Sequence, residues 1–162
     1  MERTSSSDPE AEARGDRVLE HLHHSLQLLA SPAQAQLSHF PAGWVVLTDE
    51  MALDFNHWAQ CLSTYWEPSN TQTVQLKKLD DFLSAMSGSL HSAFWTDEAL
   101  SSDPRWEEVR MLAKTALLSF GWTIAVPPPA QQEHGMLVDN GSYILSSHDT
   151  GSCSNTTTKE RF

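Results

Sequence analysis

Residues 48–66 read TDEMALDFNHWAQCLSTYW, and this stretch decides the fold. Met51, Phe55, Trp58, Leu62 and Tyr65 recur at alternating steps of four and three, the period of one face of an α-helix. Thr48-Asp49-Glu50 offers a capping residue followed by acids for the helix start, and Pro68 cannot continue it. The spacing predicts a helix over about 49–66.

Working outward, the same period appears on both sides. Upstream, Val18, Leu19, Leu22, Leu26 and Leu29 form a stripe that starts at Asp16, a capping type, and stops at Ser31-Pro32. Between these helices lies a connector, 33–47, in which Trp44-Val45-Val46-Leu47 reads as extended. Downstream, Leu76, Leu79, Phe82, Leu83 and Met86 mark a helix over about 71–86, closed by Ser87-Gly88. The segment 90–95 leads to Thr96-Asp97-Glu98, which opens a short turn to about Leu100. Asp103-Pro104 then places a capping acid before a proline at the first helical position, where the missing N–H costs nothing. Trp106, Val109, Leu112, Ala113, Ala116, Leu117 and Phe120 give that helix its buried side, and Gly121 is its exit.

The predicted fold class is therefore all-α: an antiparallel four-to-five-helix bundle-like domain over 16–126 with disordered ends. Residues 1–15 read as a disordered arm, and 127–162, introduced by Pro127-Pro128-Pro129, as a Pro/Ser/Thr/Gly-rich tail. Within the tail, Asn140-Gly141 between Met136-Leu137-Val138 and Tyr143-Ile144-Leu145 is a hairpin signal over 136–145. The expected core is Leu22, Phe55, Trp58, Leu62, Leu79, Leu83, Val109 and Leu117.

Charge narrows the function. The 162 residues carry 10 Lys plus Arg against 21 Asp plus Glu, a formal net charge of −11. Such a field repels phosphate backbones and anionic bilayers, so neither nucleic acid nor a membrane surface is an expected partner, whereas a basic protein is. No run of apolar residues is long enough for a membrane span. Met1 to Gly15 has no apolar core of a signal peptide, and Cys61 and Cys153 form no disulfide framework or zinc set, so a reducing, cytoplasmic setting is expected. No feature fixes the oligomeric state.

No phosphate loop, dinucleotide fingerprint, nucleophile elbow or paired-cysteine motif occurs, and the expectation is a non-enzyme without a cofactor. One constellation offers a competing chemistry. Glu20-x-x-His23 and Asp54-x-x-His57 have the spacing with which helical bundles hold metal ions. At about 100° per residue, Glu50 and His57 lie roughly 110–130° from the apolar stripe of their helix, and Glu20 and His23 about 90–150° from theirs, which turns them outward. A metal-binding protein or metal-dependent enzyme using these stripes is the alternative to the binding reading.

Acids at 49, 50, 97, 98 and 103 sit at helix starts, where the macrodipole favours them, but the domain's surplus of acids exceeds that need. Trp66 and Trp95 lie at a helix end and in a connector, and Met111 and Leu118 lie seven apart, opposite the buried stripe of the last helix. Something is expected to cover that pair, either the tail hairpin or a partner. The candidate partner-binding set is Glu50, Asp54, Glu107, Glu108, Trp66, Trp95, Met111 and Leu118. In size and charge the chain resembles the small acidic antidote proteins that neutralise a basic enzyme, bacterial immunity proteins among them. That resemblance implies a non-catalytic, partner-blocking role.

Overall fold

The computed structural model describes residues 2–3, 9–40, 46–129, 131–133 and 136–138. Helix α1 spans Pro9–Ala30, α2 Ala33–His39, α3 Leu47–Tyr65, α4 Asn70–Ala85, α5 Asp97–Ser102 and α6 Pro104–Ser119, with a 3-10 helix at Ser89–Trp95. Four short strands accompany them: β1 Glu2–Arg3, β2 Trp66–Glu67, β3 Gln131–Glu133 and β4 Met136–Val138. They form two separate antiparallel pairs, β1 with β2 and β3 with β4, and the architecture is all-α.

Helix α1 is the central element: it packs against α3 and α6, and α6 packs in turn against α4. Neighbours run antiparallel. Trp66, just after α3, donates its indole N–H to the carbonyl of Gly15 in the first half of α1 at 2.9 Å. Gln72, in the first turn of α4, reaches the carbonyl of Ser119 at the end of α6 at 3.3 Å. Leu22, Leu26 and Leu29 of α1 share one buried cluster with Phe55 and Leu62 of α3, Leu79 and Leu83 of α4, and Trp106, Val109 and Leu117 of α6. Apolar periodicity thus became a shared core, as expected for seven of the eight core residues. Trp58 differs: it is half-buried, stacked on His21 at 4.3 Å, and its N–H is taken by Asp54 at 2.8 Å. An indole with a partner at the rim keeps its polar edge satisfied there.

Local signals set the helix ends. Ser69 and Gln72 form a capping box at the start of α4, and Asp103 caps α6 through the Arg105 amide with Pro104 at the first position. Gly88, with φ 95°, and Gly121, with φ 72°, follow α4 and α6 where a side chain would be strained. Helix α3 starts at Leu47, two residues before the expected 49, and has no side-chain cap, so Thr48 lies inside it. Val46 is extended, while residues 41–45, with the rest of the expected extended run, lie outside the described residues.

Two expectations are corrected. Residues 9–15, expected within a disordered arm, form the first turns of α1, and Glu2–Arg3 pairs with Trp66–Glu67. The connector after Pro32 contains α2. Met136–Val138 is a strand, and among the described residues it pairs with Gln131–Glu133, with Gln132 opposite Leu137. The expected turn at Asn140-Gly141 and its second arm lie outside the described residues.

The end of the bundle where α1, α2, α5 and α6 converge is joined by one side chain. Arg110 of α6 is 7% exposed. Its Nε donates to the carbonyl of Ser31, just past α1, at 3.1 Å, and Nη2 donates to Gln36 Oε1 on α2 at 3.0 Å and to the carbonyl of Leu100 on α5. Gln36, fully buried, turns its own amide N–H to the carbonyls of Leu28 and Leu29 at 3.1 and 3.2 Å. These are carbonyls at helix ends, which have no partner within their own helix.

Three outcomes follow. Leu62→Ala is expected to lose about 2–5 kcal/mol in urea unfolding, the cost of a cavity in a packed core. Arg110→Ala is expected to lose about 3–5 kcal/mol, because it leaves a set of buried acceptors unpaired. Deleting residues 1–15 is expected to lower the thermal transition clearly, since it removes the acceptor of the Trp66 N–H; an unchanged transition would show that the early turns of α1 contribute nothing.

Candidate partner-binding surface

The candidate residues divide by what already holds them. Trp95 is 9% exposed and donates its N–H to the carbonyl of Met86 at 2.8 Å, edge-on to Phe94 and near Trp106. It is a core residue of the 3-10 segment. Trp66 is half-buried and bonded to Gly15, and Asp54 accepts from Trp58. Glu107 pairs with Arg110 Nη1 at 3.1 Å, its own side chain 63% exposed. Four of the eight therefore have structural work.

The other four face outward to different degrees. Glu108, Met111 and Leu118 are exposed and Glu50 is half-buried. Met111 at 54% and Leu118 at 62% are open to solvent, and most of the tail hairpin expected as a cover lies outside the described residues. With Thr115 they complete a line, Glu108–Met111–Thr115–Leu118, at steps of three, four and three along α6, and all four residues are exposed. This is the outer face of a helix whose opposite side, through Trp106, Val109, Ala113 and Leu117, is buried. Val74 on α4, the helix packed against α6, adds a further exposed apolar residue at 40%.

The metal alternative loses its geometry. Glu20 is exposed, His23 is half-buried 4.7 Å from the Trp122 ring, and His57 stands edge-on to Trp58 with its Nε2 3.9 Å from Cys61 Sγ. Among the described residues no group of three His, Cys, Asp or Glu side chains comes close enough to share a metal ion. Cys61 is disulfide-bonded, against the expectation of no disulfide framework.

Histidines instead line the seams of α1. His21, 2% exposed, stacks on Trp58, and His24 lies 5.3 Å from the buried His39 of α2, which meets Phe40 edge-on. The sequence shows these histidines only as a polar run, because the aromatic rings that cover them come from other elements. Burial lowers the pKa of His23, with a smaller contribution from His24, and burial lowers that of His57. Asp49 and Glu50 move the other way, raised by burial, and Glu50 further by Asp49 beside it.

The signs oppose. A histidine whose pKa is depressed on folding is protonated more readily in the unfolded chain, so its contribution is intact above the ordinary imidazole pKa of about 6.5 and is lost as pH falls below it. Raised carboxylates favour folding at low pH and weaken it as pH rises through the carboxylate range. Stability is therefore expected to fall between pH 7 and 5.5, and His23→Gln/His57→Gln to flatten that slope in thermal melts. An unaltered slope in the double variant would assign the loss to other groups.

No helix among the described residues is long and apolar enough to cross a membrane. No family model, no curated protein and no solved structure matches the chain.

Proposed function

We propose that the protein is a non-catalytic, acidic binding module that docks a basic protein partner on the outer face of α6. The observation that carries the reading is the exposed line Glu108–Met111–Thr115–Leu118, in which two large apolar side chains with no internal use lie below an acid. Met111 and Leu118 would supply the apolar centre of a contact, and Glu108 a charge at its border. The formal net charge of −11 would steer a basic protein to it. Four described cations are paired within the chain: Arg14 with Glu10, Lys77 with Asp81, Arg105 with Asp103 and Arg110 with Glu107. The mode of action is that of an antidote or inhibitor, covering a surface rather than transforming a substrate.

The test is parallel affinity capture with the wild-type chain and with Met111→Asp, followed by association kinetics of the captured protein. Met111→Asp is expected to keep the thermal transition, because the site is exposed, and to lose the partner. Glu108→Gln is expected to slow association at low salt and to flatten its salt dependence. Equal capture by both chains, or rates indifferent to salt, would overturn the reading.

A further inference from the structure

Among the described residues no helix follows α6. Trp122 is half-buried, stacked on Phe120 at 4.3 Å and 4.7 Å from His23. Residues 123–129, Thr123-Ile124-Ala125-Val126-Pro127-Pro128-Pro129, then run without helix or strand to β3, which begins at Gln131. Their backbone groups make no hydrogen bond to other described residues.

Sterics dictate the conformation of this segment. Each proline fixes its own φ near −65°, and each residue before a proline is driven out of the α region, which covers Val126, Pro127 and Pro128 in succession. Over 126–129 these limits favour polyproline II, with three residues per turn and no internal hydrogen bonds, a period that 123–125 would continue. Its three edges are Thr123/Val126/Pro129, Ala125/Pro128 and Ile124/Pro127. Pro127 is buried, while every residue of the first two edges is exposed, Val126 at 57%. One ring thus seats the segment on the protein, and the two remaining edges face outward beyond Trp122.

We propose that residues 123–129 are a docking ligand for a protein domain that reads polyproline II segments through an aromatic-lined groove. Such a groove takes the exposed rings of Pro128 and Pro129 and the Val126 side chain between parallel aromatic faces, and its Trp or Tyr donors reach the segment's carbonyls. The fixed backbone reduces the ordering cost of binding. No Lys or Arg occurs between Lys114 and Lys159, so recognition rests on rings and carbonyls rather than on a basic flank. The site is separate from the outer face of α6 and stands without it.

The experiment titrates the purified full chain, isotope-labelled, with three isolated probes: a WW domain, an EVH1 domain and an SH3 domain. Saturable binding of at least one is expected, with resonance changes centred on 122–129, insensitivity to Met111→Asp, and displacement by a decaproline peptide. Pro128→Ala/Pro129→Ala is expected to weaken the affinity by about tenfold or more, close to 1.4 kcal/mol. Val126→Glu, at an exposed position outside the proline run, is expected to weaken it with the thermal transition unchanged, which separates loss of docking from loss of fold. No saturation with any of the three domains, or an affinity indifferent to both variants, would overturn the proposal.

Discussion

A buried guanidinium has no means of losing its charge, so it must be surrounded by acceptors or not be buried at all. Arg110 meets that condition with the carbonyls of Ser31 and Leu100, the amide oxygen of Gln36 and the carboxylate of Glu107. Each acceptor belongs to a different part of the chain. The end of α1, the body of α2, the short α5 and α6 itself are therefore held at one point, and none can move without leaving a charge or a carbonyl unpaired. Short helices such as α2 and α5 are too small to be stable alone. Their positions depend on this junction and on the apolar residues beneath it, Ala99 and Leu100 of α5 among them.

The same junction determines which surface of α6 is available. Fixing Arg110 inward, together with Trp106, Val109, Ala113 and Leu117, orients the helix so that Met111 and Leu118 must point away from the core. It also gives Glu107 a structural role. Glu107 and Glu108 are neighbours in sequence, but only the first is tied to Arg110, and Glu108 is exposed on the outer face. The acids at helix starts divide in a similar way: Asp103 is held by Arg105, and its pKa is lowered by that hydrogen bond, whereas Asp49 and Glu50 sit half-buried with raised values.

Most of the fold was legible because long amphipathic helices announce themselves. The expected 71–86 became Asn70–Ala85, and Asp103-Pro104 marked the start of α6 to the residue. What was missed has specific causes. Asp16 reads as a capping start, yet α1 begins earlier and includes Gly15, where a Cβ would meet Trp66 at 3.2 Å and Tyr65 at 3.3 Å. A close approach from 51 residues away decided that position, and local pattern holds no trace of it. Helix α2 was hidden because AQAQLSH has almost no apolar stripe; its inward residues are Gln36 and His39, polar side chains buried with partners. The candidate surface was half legible for the same reason. Met111 and Leu118 follow from helix phase alone, but the internal use of Trp66, Trp95, Asp54 and Glu107 is set by hydrogen bonds that only the assembled chain reveals.

These causes have a common physical form. Periodicity records which side of an element is apolar, and it succeeds wherever burial is driven by apolar area. It is silent where burial is driven by satisfying polar groups, since a buried Gln, His or Arg looks like a surface residue in a one-dimensional pattern. In this chain the apolar rule built the layer of α1, α3, α4 and α6, and the polar rule closed its end through Arg110 and Gln36. Polar satisfaction demands particular partners at particular distances, so the closed end has few alternative arrangements, while the exposed face of α6 and the exposed edges of 123–129 take part in neither rule.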